Sequence, residues 1–267
     1  MLDLLLPTRC VGCDRRGSLL CDACLVVAPA LRAPRPAPAG LPACWSATLY
    51  EGAARQAILH YKERGRTALA VPLAHALAFT LATAVPEGAL AVVPVPSAGR
   101  AVRARGHDPV RRLAALAVRQ LGGLGREVTL RTDLRHGRRV ADQAGLSAAQ
   151  RAANLASSLR VDPAGKGRLS GRSGASMVIV DDVVTTGATL AEAARAVRET
   201  GAEVAAAVTV AATRRRGPPD FLTEGKENAK AVGSPVRHMS LPSAQLIRLE
   251  RQVERCVQPS KGASSTP

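Results

Sequence analysis

The sequence predicts a parallel α/β sheet with a small metal-binding module ahead of it. Three observations carry that expectation. Apolar runs at 90–95, 177–181 and 204–210 lack the alternation of a half-solvated strand, so each reads as a strand covered on both faces. Stretches of helical period lie between them, and strands alternating with helices build parallel sheets through right-handed crossovers. Ahead of all of these, four cysteines stand as two paired knuckles.

In chain order, 10–24 holds the cysteines. Residues 28–42 are rich in Pro and Ala and read as a linker. A short strand is expected at 45–50. A helix over 52–64 places Ala54, Ala57, Ile58 and Tyr61 on one face. Residues 68–85 form the longest apolar stretch. Leu73, Leu77 and Leu81 recur there at helical spacing beside Pro72, His75 and Thr80, so it reads as a core helix and not a membrane span. After the strand at 90–95 comes a loop rich in Pro, Gly and Arg, then a helix over 110–121 and a short strand at 128–130. Residues 135–145 read as a polar, basic loop, Ser147 as the cap of a short helix leading to Asn154, and 165–174 as a turn. The strand at 177–181 is followed by a helix through about 199 and a last strand at 204–210. Beyond Arg214-Arg215-Arg216 the pattern dissolves, and the rest is expected to be mostly disordered.

The 267 residues carry a net charge of +16, which suits polyphosphate ligands or nucleic acid. Aromatics make up only 2%, so the core must be built from Ala, Val and Leu, and a base-stacking platform is disfavoured. The first residues lack a basic start and a small-residue cleavage site, so a cytoplasmic location without membrane insertion is expected. Reduced thiols there favour metal binding over disulfides.

The densest chemistry lies in Asp181-Asp182-Val183-Val184-Thr185-Thr186-Gly187-Ala188-Thr189, at the carboxyl end of an apolar strand. Ligands of open α/β sheets bind at such ends. Two adjacent carboxylates repel each other, and a divalent cation or sugar hydroxyls relieve that repulsion. Thr185, Thr186, Gly187, Ala188 and Thr189 offer backbone N–H groups and three hydroxyls to one anion, at a helix start whose dipole favours phosphate. A ribose 5-phosphate unit fits both halves. The plainer alternative is a polar turn whose threonines cap a helix.

Cys10, Cys13, Cys21 and Cys24 supply four thiolates, a closed tetrahedral set suited to structural Zn²⁺. Free thiols or a redox pair are the alternative. Cys44 and Cys256 stand alone and read as ordinary thiols. Ser97, Arg100, Arg103 and Arg105 follow the proline-stiffened end of the 90–95 strand, where the arginines can neutralise a pyrophosphate. Arg138, Arg139 and Gln143 lie in a basic segment able to close over a polyphosphate as a hood. Lys62 reads as a solvated lysine.

The acidic run resembles the PRPP-binding motif of the type I phosphoribosyltransferases. Further signatures stand in order with it. They are the two CxxC knuckles, Tyr50-Glu51-Gly52 with Tyr61-Lys62, Val93-Pro94-Val95-Pro96 with Arg105-Gly106, and Gln143 with Arg151 and Asn154. Together they resemble the ComF/GntX family of phosphoribosyltransferase-like proteins. Two positions depart from it: His107-Asp108 stands where the family usually has Phe-Asn, and Val140 where a threonine is common. The resemblance implies a zinc-binding module at 1–27, a linker at 28–44, a type I phosphoribosyltransferase domain at 45–213 and a tail at 214–267. It implies PRPP with Mg²⁺ as ligand, Asp181 and Asp182 as catalytic groups, and DNA uptake in natural competence as the biology of some members. Three readings stay open. They are a phosphoribosyltransferase with an unread nitrogen acceptor, a PRPP- or nucleotide-regulated protein that binds single-stranded DNA, and a zinc-stabilised scaffold with a vestigial phosphate site.

Overall fold

A computed structural model describes residues 8–137, 158–163, 165 and 174–214. The elements run β1 (Ala30–Leu31), β2 (Cys44–Leu49), α1 (Gly52–Glu63), a 3₁₀ turn (Thr67–Leu69), α2 (Ala70–Ala84), β3 (Leu90–Pro94), α3 (Gly99–Arg105), α4 (Pro109–Gly123), β4 (Val128–Leu130), β5 (Leu134–His136), β6 (Leu159–Val161), β7 (Ser176–Val184), α5 (Ala188–Arg198) and β8 (Val204–Ala212).

Six strands form one sheet in the order β1-β2-β8-β7-β3-β4. All neighbours are parallel except the edge pair β1–β2. A separate antiparallel hairpin joins β5 to β6. The uninterrupted apolar runs are explained by cover on both faces. On one face Val92, Val178, Val180, Val208 and Val210 pack with Ile58 and Tyr61 of α1, Leu73, Leu77 and Leu81 of α2, and Leu113 and Leu121 of α4. On the other, Ala91, Val93, Met177, Ile179 and Ala207 meet Leu190, Ala193, Ala194 and Val197 of α5 together with Leu134 and Leu159 of the hairpin. Small side chains let the layers approach closely, and among the described residues Tyr61 is the one aromatic of the largest fully buried side chains.

The face expected for α1, namely Ala54, Ala57, Ile58 and Tyr61, is the buried face. Thr67–Ala84 is apolar and long enough to span a membrane by length and composition, with mean hydropathy 1.5, but 56% of it is buried inside the structure and Leu73, Leu77 and Leu81 are core residues.

Three stretches differ from expectation. The arginine-bearing loop after β3 is a helix, α3, with no buried residue and hence no apolar periodicity to announce it. The basic loop expected from residue 135 begins instead as β5, whose Leu134 is buried. Within the proline-rich stretch at 28–42, β1 pairs with β2, and the Arg32 guanidinium donates to the Ser46 and Ala28 carbonyls. The proposed cap at Ser147, Arg151, Asn154, most of 165–174 and the tail from 215 lie outside the described residues.

Candidate phosphate and sugar site

The chain leaves β3 towards β4 on one side and leaves β7 towards β8 on the other, so the sheet order reverses between these two neighbours. That crevice is the standard ligand position of an open α/β sheet. Pro94 pairs with Val180, and the Val95 N–H donates to the Val180 carbonyl at 2.9 Å, so the two strand ends emerge together.

From β7 the chain turns through exposed Thr185 and Thr186 to Gly187, the N-cap of α5. Gly187 has φ 76°, the left-handed region that favours glycine. A Cβ there would lie 3.0 Å from Pro34 Cγ and 3.1 Å from Leu41 Cδ2. No side chain caps α5, and the nearest substitute is a 3.4 Å contact from the Ala188 N–H to Thr186 Oγ1. The first-turn N–H groups thus keep donor capacity for an anion.

Asp181 and Asp182 stand beside this turn. Asp182 is buried, 5% exposed, and Asp181 is half-buried. Each binds the next backbone N–H through Oδ1 at 2.8 Å. Burial and then the Asp182 charge raise the Asp181 pKa well above the ordinary carboxylate range. Lys62, expected to be solvated, is instead the partner of this pair. Its Nζ lies 2.5 Å from Asp182 Oδ2, a charge contact without hydrogen-bond alignment. Burial acts to depress the Lys62 ammonium, but the Asp182 carboxylate outweighs it and the pKa is raised. The missed signal is helical: Lys62 is one turn beyond buried Ile58 on α1.

On the β3 side, Ser97 donates from N–H and Oγ to the two oxygens of Asp108, at 3.1 and 2.9 Å, while Asp108 also caps α4 by accepting the Arg111 N–H. Asp108 therefore fills a capping position that Asn also favours. His107 stacks obliquely on Tyr61, with centroids 6.0 Å apart, as a phenylalanine would. His107 and Asp108, one of the two departures noted in the sequence, are thus met by local packing, while Val140 lies outside the described residues. Arg105 pairs with Glu63 at 2.7 Å, whereas Arg100 and Arg103 are exposed and carry no ion pair among the described residues.

Arg138, Arg139 and Gln143 lie outside the described residues, but the hairpin at their base is fixed. Buried Glu192 of α5 accepts the Leu159 N–H, and Arg195 donates to the Leu159 carbonyl. His136 Nε2 donates to the Pro96 carbonyl at 2.9 Å. The base of the expected hood therefore touches both the phosphate-turn helix and the β3 exit.

The phosphoribosyl transferase domain family model matches residues 108–238. The chain carries a phosphoribosyl transferase domain. The match includes the acidic run and α5, and it begins after β2, α1 and β3, so Lys62 lies outside it. No curated protein matches the chain. A cavity of about 740 Å³ lies at the amino ends of β7 and β8, lined by Ser176, Met177, Val204 and Ala205. It is at the opposite end of these strands from the acidic run.

Ahead of the phosphoribosyl transferase domain, Cys10, Cys13, Cys21 and Cys24 place their sulfurs within 4.8 Å of one another. The Cys10–Cys21 and Cys13–Cys21 sulfur pairs are 3.7 and 3.6 Å apart. A tetrahedron with Zn–S bonds of about 2.3 Å has edges of about 3.8 Å, so the four thiols can hold a zinc ion. Burial opposes ionisation of Cys10, but N–H groups of Cys21, Gly12 and Cys13 outweigh it and lower its pKa to about 6. Cys24 moves the other way, to about 12, chiefly through hydrogen bonds with Cys13 and Cys21. A Cβ on Gly12 would sit 2.5 Å from Ala53 Cβ and 2.8 Å from Cys24 Sγ, so glycine lets the knuckle rest against α1.

Proposed function

We propose that the protein is a phosphoribosyltransferase that binds PRPP with Mg²⁺ and transfers ribose 5-phosphate to a nitrogen acceptor. The observation that carries this reading is the uncapped N-terminus of α5 beside the Asp181–Asp182 pair, at the crevice where the sheet order reverses. In this reading Thr185, Thr186, Gly187, Ala188 and Thr189 hold the 5-phosphate. The acidic pair takes the ribose hydroxyls and favours the positive charge that develops on the sugar as its bond to diphosphate breaks and the bond to nitrogen forms. Ser97, Arg100 and Arg103 face the departing diphosphate, Arg105 lends charge nearby, and Arg138, Arg139 and Gln143 close over it. Hard carboxylate oxygens suit Mg²⁺, and Asp181 Oδ2 has no partner among the described residues. Bound Mg²⁺ would neutralise the diphosphate leaving group. Zinc in the cysteine knuckles would be structural, since four protein ligands leave no open position. A cytoplasmic setting fits the reduced thiols this requires.

Calorimetric titration of the zinc-quantified protein with PRPP and Mg²⁺ tests the reading. Binding to the wild type and not to the Asp181→Ala/Asp182→Ala variant is expected, and turnover that survives that variant would overturn the role of the pair. A second reading, a PRPP-regulated protein that handles single-stranded DNA during uptake, is favoured by the +16 charge and the exposed Arg100 and Arg103. It requires DNA affinity that falls steeply with salt.

A further inference from the structure

The two adjacent carboxylates do not share one environment. Successive residues of a strand point to opposite faces. Met177 and Ile179 of β7 pack on the α5 side, and Val178 and Val180 pack on the side of α1, α2 and α4. The alternation carries as far as Asp182 and breaks beyond it, where Val183 packs on the α1 side and Val184 on the α5 side. Asp182 therefore falls on the α1 side, where Lys62 meets its Oδ2, while its Oδ1 is taken by the Val183 N–H. Asp181 is the less buried of the two, its Oδ1 accepts the Asp182 N–H, and Lys62 makes no ion pair with it among the described residues.

The last turn of α1 is fixed by more than this pair. Tyr61 Oη donates to the Pro109 carbonyl at 2.9 Å, and Glu63 pairs with Arg105 of α3. The ammonium of Lys62 is thus delivered to Asp182 by a helix end anchored at α3 and α4. A carboxylate this buried is costly without a counter-charge, and Lys62 is the cation within contact distance.

We propose that Lys62 is a positioning residue that fixes Asp182 as an internally paired wall of the site, so that Asp181 is the carboxylate presented to the sugar. This deepens the phosphoribosyl reading and rests on it. The acidic run then divides its labour: one carboxylate holds the strand end against α1, and its neighbour keeps an open oxygen for a hydroxyl.

The test uses the full chain with three probes: PRPP with Mg²⁺, ribose 5-phosphate, and inorganic pyrophosphate. Variants are Lys62→Met, Lys62→Arg, Asp182→Asn and the double Lys62→Met/Asp182→Asn. Lys62→Met should weaken PRPP and ribose 5-phosphate about tenfold, with Lys62→Arg recovering most of the loss and pyrophosphate unchanged. The double variant should bind no worse than Asp182→Asn alone. Equal weakening of pyrophosphate would overturn the proposal, because Lys62 would then contact the diphosphate itself. Additive losses in the double variant would overturn it too. A wild type that binds none of the probes would refute the phosphoribosyl reading. The pairing is then judged by thermal unfolding of the same four variants, where non-additive shifts sustain the Lys62–Asp182 clamp and additive shifts refute it. If Lys62→Met does not fold, Lys62→Gln and the double Lys62→Gln/Asp182→Asn take its place in the same cycle.

Discussion

Asp108 holds Ser97 by both oxygens while it caps α4. The Ser97 N–H and Oγ lie 3.1 and 2.9 Å from the carboxylate, and the Arg111 N–H lies at 3.2 Å. One side chain therefore sets the start of a core helix and the path of the chain leaving β3. Asp108→Ala should cost about 1–2 kcal/mol, a lost cap plus an unpaired Ser97 donor. Asp108→Asn should fall between, since it keeps one acceptor oxygen and turns a donor towards the Ser97 N–H. Urea unfolding of the three proteins checks the order, and equal stability of Asp108→Ala and wild type would refute the dual role.

Gly187 is constrained twice, by φ 76° and by Pro34 and Leu41 against its α-carbon. Gly187→Ala should lose about 1–2 kcal/mol from the left-handed conformation alone. Leu41→Ala should return part of the further loss due to crowding, and none of the loss due to φ. Phosphate-containing ligands should bind Gly187→Ala at least about tenfold more weakly, because the donors of the turn move. Paired melts and titrations of the single and double variants separate the two causes.

Glu192 joins the hairpin base to the helix that carries the phosphate turn. Its Oε1 accepts the Leu159 N–H at 3.1 Å, and Arg195 pairs with it at 2.7 Å. Glu192→Ala should cost about 2 kcal/mol. That is less than a fully buried pair costs when broken, because the Arg195 side chain is 35% exposed and keeps some water. Hydrogen exchange should then quicken at Leu159 while Val178 to Val180 stay protected. Unchanged exchange at Leu159 would show that the hairpin is held by its apolar contacts.

The cysteine knuckles are continuous with the core, since Cys10 and Leu20 are buried against α1 and its neighbours. Zinc removal by a chelator should therefore lower the melting temperature of the whole described unit and not merely free a separate module. One zinc per chain is expected by elemental analysis, falling below half in Cys13→Ser. A chelated protein with an unaltered melt would show that the knuckles stand apart from the domain.

Legibility followed periodicity and burial. The buried face of α1 was readable because Ala54, Ala57, Ile58 and Tyr61 repeat at helical spacing, and β7 because four apolar residues run into two carboxylates. α3 was not readable, for a seven-residue helix with no buried side chain leaves no hydrophobic pattern. β1 and β6, of two and three residues, are strands only through their partners, β2 and β5. The acidic run announced itself as a motif, but the inequality of its two members did not. It depends on Lys62, whose spacing from Ile58 on α1 marks its face but not the carboxylate that packing brings to it.

Cys44 offers a pH test of the core beside the acidic run. It is 1% exposed at the start of β2, and burial, with a smaller contribution from the Asp181 charge, pushes its thiol from 9.0 up to about 11. The folded value exceeds the unfolded one, so the stability due to the neutral thiol is complete below about 9 and is lost as the pH climbs through 11. Two outcomes follow. At pH 8 a thiol reagent should leave Cys44 unmodified in the native protein and label it after unfolding, as read by mass mapping. Cys44→Ala should also flatten the fall in melting temperature between pH 9 and 11 relative to wild type. Rapid native labelling at pH 8, or identical alkaline profiles, would mean that the thiol is not held in the core as the structure places it.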